Sequence, residues 1–374
     1  MGFGDRMSWR ISVILVGFLL WATQGYGAVV TPSDRVTSRL NVRDGPSTTT
    51  SIVGKLLPGK EALFLESVPH WYKVRLDSGQ EGFVSKSWSI KLESETGEQY
   101  IRLGSWNIKK LGHGSSKNYP LVRQIIDDNF DIIAIIEVMQ KQHGHPGYDA
   151  LMQRLGSSWG GLITDTPRLD TGSGNSEFYA IAYRKSTVRP CANWTTLQYY
   201  PDNDGSAHGT GPNLFVREPA YACFEAGSGT GTVGLDFMLA AYHATWSDGN
   251  EDEIVDEVSN LGGVFTTMRQ AKPGEKDLII VGDFNLIPTI LDGVVSAADR
   301  TEGSGSTLNS NGDRTTNLYD HVLVNDEAAT SEMVGNSVVL NRIGLAATPK
   351  IFYQTVSDHL PIMVKMRSSG PDDD

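Results

Sequence analysis

Cysteine is nearly missing from this chain: its 374 residues contain only Cys191 and Cys223, too few for a zinc site built on thiolates. Basic residues are in the minority, 32 against 44 acidic, and the formal charge of −12 argues against gripping nucleic acid through a broad basic surface. There is no heptad or low-complexity tract, which sets aside fibrous and disordered chains. No Walker A loop or HExxH motif occurs. Beyond the first 27 residues no apolar run approaches membrane-spanning length. What is present is enough apolar material for a sizeable core, 39% of residues, in a chain long enough for two or three domains.

The first segment joins a positively charged start, MGFGDRMSWR, to the short apolar run ISVILVGFLLW and the small residues Gly25 and Gly27. This is the layout of a signal peptide over residues 1–27, cut near Gly27 and Ala28, and the run is too short to span a bilayer comfortably. The mature protein is therefore expected to be secreted or periplasmic, with no integral membrane segment. In an oxidising compartment Cys191 and Cys223 are most simply a disulfide, because they flank the polar loop YYPDNDGSAHGTGPN between two expected strands. Residues 1–27 and 28–95 each carry a net +1, leaving −14 in residues 96–374: an acidic body behind a near-neutral module.

Within residues 28–95, short alternating runs separated by Gly, Pro and Asp predict a small all-β barrel. The phrases LNVRDGPS, GKLLPG, WYKVRL and GFV, in this order, resemble the bacterial SH3 domain. That resemblance implies a cell-wall ligand or a passive spacer, and no residue decides between them. A polar linker, ESETGEQY, leads into residues 96–374, where strands and helices alternate. Continuous apolar strands such as DIIAIIE and DLIIVGD predict buried sheets covered by helices, an α/β sandwich.

In this second body the ionisable residues sit at the ends of strands that can only be core. Glu137 closes DIIAIIE, Asp283 and Asn285 close DLIIVGDFN, and His243 closes LDFMLAAYH. Asn107 follows RLGSW, and Asp358 with His359 stands directly before LPIMVKM. Acids and histidines in such places are costly unless paired or metal-bound. The oxygen donors Glu137, Asp283, Asp358, Asn107 and Asn285 suit Mg²⁺, Mn²⁺ or Ca²⁺ rather than zinc. Two histidines able to exchange a proton near neutral pH complete what hydrolysis of a phosphate ester needs.

The ordered set SWNI, IIEV, YHATW, VGDFN, YDHVLV and SDHLP resembles the endonuclease/exonuclease/phosphatase superfamily, a four-layer α/β sandwich of metal-dependent phosphoesterases. Within it, NIKKLG with SKN, SEFYAIAYR and FVREPA are similar to deoxyribonuclease I. The resemblance implies that Asn107 and Glu137 hold the principal divalent metal with help from Asp358, and that Asp283 and Asn285 bind metal or the scissile phosphate. It further implies two carboxylate–histidine pairs, His243 with Glu177 and His359 with Asp320, as general acid and general base in an order left open. Arg217 is expected on phosphate, with a salt bridge to Glu218 as the alternative, and Lys109 on a flanking phosphate. Two departures stand out: Met139 and Asn175 occupy positions where the family reads the DNA minor groove, and Lys141 or Gln142 are the nearest substitutes. Asp202, Asn203 and Asp204, and separately Asn311, Asp313 and Thr315, are candidate ligands of structural calcium, each with a plain turn as the alternative.

These readings combine into an exported, Mg²⁺- or Mn²⁺-dependent endonuclease with DNA as substrate, expected as a monomer and leaving 5'-phosphate ends. The alternatives are a phospholipid or sugar-phosphate phosphodiesterase of the same superfamily, and an envelope-binding protein acting through its barrel.

Overall fold

The structure is a computed structural model that describes residues 28–369 except 77, 93–98, 115, 170–175, 203–212, 228–233, 248–249 and 326. The expected signal segment and most of the polar linker lie outside the described residues. Short runs in which Val, Leu and Ile alternate with polar residues can bury only one face, so they pair into a sheet curled around its own core. Seven strands between Val29–Pro32 and Ser89–Leu92 do so, all antiparallel, with Val30, Val42, Leu56, Val74 and Val84 inside.

The remaining strands build two mixed sheets. In the first, Tyr100–Leu111 runs parallel to Ile132–Met139 and antiparallel to Ile362–Arg367. In the second, Leu235–His243 runs parallel to Leu278–Asp283, which pairs antiparallel with Asp320–Val324. Every residue of Leu278–Asp283 is buried, a pattern that requires cover on both faces. Leu239, Ala241, Ile279 and Val281 join the core shared with the first sheet, whereas Met238, Ala240, Tyr242, Leu278 and Ile280 pack with the helices Glu251–Val258 and Leu261–Ala271. Helices Tyr119–Asn129 and Pro146–Leu155 cover the first sheet from the other side. The order helix, sheet, sheet, helix is the expected four-layer sandwich.

Local sequence explains the helix that follows the first site strand. Asn118 caps it, its side chain accepting from the Leu121 amide at 3.2 Å, Pro120 suits the first turn, and Leu121, Val122, Ile125 and Ile126 fall on one face. Cys191 and Cys223 form the expected disulfide, tying the end of Val188–Pro190 to the neighbouring strand Ala220–Ala226.

The barrel sits against the sandwich. Ion pairs Lys60–Asp128 at 3.1 Å, Lys365–Glu61 at 3.6 Å and Arg314–Asp34 at 3.6 Å cross the junction. Partly exposed pairs of this kind contribute little on their own. The closer constraint is steric: a Cβ on Gly344 would lie 1.6 Å from the Thr37 carbonyl oxygen, so only glycine admits this approach.

Candidate active site

Strand register assembles the centre. His243 and Asp283 are direct partners across a parallel pair, and Asp283 and Asp320 across an antiparallel one, so three ionisable groups stand abreast at the sheet edge. Gly282 permits it: with φ of +155° and a Cβ that would meet the Tyr242 carbonyl at 1.8 Å, this position accepts no other side chain. The facing sheet supplies Asn107, aligned with Ile136, and then Glu137. Lys109, Lys110, Glu137 and Asn285 all have positive φ, a conformation that costs non-glycine residues on the order of 1–3 kcal/mol and gathers at functional sites.

The two expected carboxylate–histidine pairs are both formed. His243 Nδ1 donates to Glu177 Oε2 at 2.9 Å, and His359 Nδ1 donates to Asp320 Oδ2 at 2.8 Å. Each Nε2 then points at one atom, Asp283 Oδ2, at 3.9 Å from His243 and 3.5 Å from His359. Burial disfavours a charged imidazole at His359, but the carboxylates of Asp320, Asp283 and Asp358 outweigh it and hold the ring well above its ordinary range. His243 is raised as well: burial and Arg217 oppose its charge, and Glu177 and Asp283 overcome them. Burial alone would raise Glu177, yet the facing His243, with Arg217, brings it down to about 2.

Asn107 joins the halves of the site, its Nδ2 donating to Glu137 Oε1 and to Asp283 Oδ2, both at 3.0 Å. Glu137 Oε2 accepts from the Lys110 amide at 2.8 Å. Among the described residues, ligand atoms of Asp283, Asp320 and His359 lie within 4.8 Å of one another, close enough to hold a metal ion. Buried oxygen donors gathered around one carboxylate fit a hard divalent cation.

Other expected residues take different places. Arg217 is buried, and its Nε and Nη2 donate to the carbonyls of His243 at 3.1 Å and Ala244 at 2.5 Å. These two donors support the His243 strand end from behind instead of facing a substrate phosphate. Glu218, the alternative partner of Arg217, is bonded to Arg168. Lys109 Nζ pairs with Asp358 Oδ2 at 2.8 Å and lies 3.6 Å from the Tyr353 ring centroid. In this geometry, therefore, Asp358 serves Lys109. Asn285 Nδ2 donates to the Ala244 carbonyl at 3.1 Å, bracing the loop after His243. Met139 is buried in the core, Asn175 lies outside the described residues, and Lys141 and Gln142 are exposed.

Four contributors escaped the sequence reading. Lys117 Nζ donates to the carbonyls of Ile108 at 3.0 Å, Lys109 at 2.8 Å and Val356 at 2.8 Å, clamping the Asn107 strand to the Asp358 segment. His321 is fully buried between Asp299 Oδ2 at 2.8 Å and the Leu286 carbonyl at 2.8 Å. Trp246, 58% exposed, packs at 6.2 Å from Tyr319 and makes an aromatic wall between the ends of the His243 and Asp320 strands. Glu257 accepts from Tyr242 OH at 2.8 Å and the Thr245 amide at 3.1 Å. Lys117, His321 and Trp246 lie inside the segments SKN, YDHVLV and YHATW, and Glu257 shares the helical spacing of Ile254 and Val258.

Of the two calcium candidates, Asn203 and Asp204 lie outside the described residues. Asp202 is buried; its Oδ2 accepts the amides of Leu214 at 2.9 Å and Phe215 at 3.1 Å, and its Oδ1 has no hydrogen-bond partner among the described residues. Burial, with the Asp202 carboxylate beside it, pushes Glu218 up to about 7. The second cluster closes on itself: Asn309 Oδ1 takes the amides of Asn311 at 2.9 Å and Asp313 at 3.0 Å, and the hydroxyls of Thr307 and Thr315 meet at 2.5 Å. Its polar groups are satisfied as a turn.

Comparison with known proteins matches both parts of the chain. Residues 38–90 match the model for the bacterial SH3 domain, and residues 104–359 that for the endonuclease/exonuclease/phosphatase family. A protein of Thioalkalivibrio sp. (strain K90mix) named Deoxyribonuclease is 31% identical over 279 residues, covering 71% of this chain and 70% of its own length. The fold is shared with family proteins from Bacteroides thetaiotaomicron (TM-score 0.51, 18% identity, 73% of this chain and 99% of that one) and Bacteroides vulgatus (0.50, 16%, 72% and 98%). With a matching family model over most of its length, the chain belongs to the endonuclease/exonuclease/phosphatase family and is a hydrolase of phosphodiester bonds preceded by a bacterial SH3 domain.

Proposed function

We propose that this protein is an exported, divalent-metal-dependent endonuclease that hydrolyses the DNA backbone with little sequence preference. The observation that carries the proposal is the convergence of two carboxylate-oriented imidazoles on Asp283 Oδ2. The relative named Deoxyribonuclease supports DNA as the substrate. Because Nδ1–H of each histidine is committed to a carboxylate, each Nε2 is the working atom. One Nε2 takes the proton of the attacking water as its oxygen bonds to phosphorus. The other protonates the leaving 3'-oxygen as the P–O bond breaks, and a 5'-phosphate remains. Glu137, Asn107 and Asp283 would hold Mg²⁺ or Mn²⁺, which when bound offsets charge on the phosphoryl oxygens.

Supercoiled plasmid with Mg²⁺ tests the reading. The wild type should nick and linearise it, while His243→Ala and His359→Ala each slow cleavage by roughly 10²- to 10⁴-fold. Intact plasmid alongside hydrolysed sphingomyelin or sugar phosphate would overturn the nuclease assignment. Export rests on residues 1–27 and fits the disulfide; a mature chain whose mass does not begin near Ala28 would refute it. We further propose structural calcium at the loop that follows Asp202, whose Oδ1 has no hydrogen-bond partner among the described residues, and we expect a monomer.

A further inference from the structure

The barrel carries a groove of about 380 Å³ whose wall includes Arg35, Arg39, Arg43, Trp71 and Trp88, and among the described residues no carboxylate lines it. That composition runs against the rest of the molecule, since residues 96–374 hold −14. The Arg35 guanidinium lies over the Trp88 ring, 5.4 Å from its centroid, and donates to the Ser87 carbonyl. Trp88 nevertheless stays 48% exposed. Arg43 is held by a bond from Nη1 to the Thr50 carbonyl at 2.6 Å. Arg39 is exposed and has no ion pair or hydrogen bond among the described residues.

Guanidinium forks match phosphate oxygens, and an exposed indole offers a face to a nucleobase. Cations tracking a backbone beside aromatic platforms are how unpaired strands are held without sequence preference. A neutral wall peptide would leave three guanidinium charges without a counter-charge. A duplex keeps its bases stacked on each other and has no use for Trp88. We propose that this groove binds single-stranded nucleic acid, with phosphates on the arginines and a base against Trp88.

The groove is also placed to matter. Asp34, next to Arg35, pairs with Arg314 at 3.6 Å. Arg314 belongs to the loop in which Thr307 bridges His359 and the Leu308 amide donates to the Asp358 carbonyl at 2.7 Å. The residue next to Arg35 is thus tied to the loop that pairs with the His359 backbone. The proposal rests on the nuclease reading and deepens it: an acidic catalytic body that holds DNA poorly gains a second set of phosphate contacts and a higher local substrate concentration.

The test uses the full chain in chelator, so that no strand is cut, with fluorescently labelled oligothymidine followed by anisotropy across a salt series. Trp88→Ala should weaken binding about tenfold, within the range of one lost base stack. Arg39→Glu should weaken it and flatten the log–log salt slope by about 0.7 per lost phosphate contact. Binding unchanged in both variants, an abasic strand held as tightly as oligothymidine, or wall fragments that displace the strand from these residues would each overturn the proposal. Plasmid cleavage keeps the two readings apart. A protein that cuts DNA while its groove variants bind like the wild type loses only the groove. One that binds oligothymidine through Arg39 and Trp88 but cuts nothing loses only the nuclease reading.

Discussion

Lys117, which stands in the SKN segment without a role read from it, shows how a side chain can support a centre from behind. Its ammonium donates to three carbonyls, and burial, only partly offset by Glu137 and Asp358, lowers its pKa to about 8. Holding a charge there has a stability cost, and what it secures is the relative placement of Asn107 and Asp358. Lys117→Met is therefore expected to lower kcat by about 10- to 100-fold, the usual effect of removing a support behind metal-binding groups, with KM little changed. Unaltered kcat in steady-state plasmid assays would remove this role. At the same scale His243, Asp283 and His359 were legible because a polar residue at either end of a buried strand has few innocent explanations. Arg217 was not, because a residue's type says nothing about whether its side chain faces the cleft or the carbonyls behind it.

Elements fix those directions, and two buried contacts bind them. His321 follows Asp320 on the same strand, so its ring falls on the opposite face, where Asp299 and the Leu286 carbonyl meet both nitrogens. Burial opposes its protonation, but Asp299, the Leu286 carbonyl and Asp320 prevail and raise its pKa above the ordinary 6.5. A raised histidine stabilises fully below its unfolded value and loses that contribution as pH rises through the folded one. His321→Gln should destabilise the fold by about 3–5 kcal/mol in mildly acidic buffer, the cost of leaving Asp299 buried without its partner. The gap to the wild type should narrow as pH rises; urea titrations showing a pH-independent gap would contradict a charged His321. The loop that follows Asp202 gives a second test. Calcium should raise the melting temperature of the wild type and not of Asp202→Asn, and equal shifts in both would place the ion elsewhere.

For the whole molecule the decisive contact is barrel against sandwich. A methyl group at Gly344 would collide with the Thr37 carbonyl, so Gly344→Ala should displace the barrel while leaving the two sheets intact. Limited proteolysis between barrel and sandwich is expected to accelerate, and plasmid cleavage at saturating DNA to persist. Proteolysis at the wild-type rate would mean that the junction does not depend on this approach. Charge acts over the same scale. The sandwich carries −14, and only some of its carboxylates serve the centre, so the molecule as a whole should not hold DNA tightly or for long.

Buried sheets covered by helices, the strand-end acids and histidines, and the disulfide could all be read from the sequence. Those follow from short-range rules: apolar period, turn residues, and the expense of burying a charge. Only the folded chain sets Asp283 between the two histidines, turns Asp358 to Lys109, braces the His243 carbonyl with Arg217, and brings Arg35, Arg39 and Arg43 into one groove. Each depends on strand register and on which face a side chain takes, and a shift of one residue reverses both.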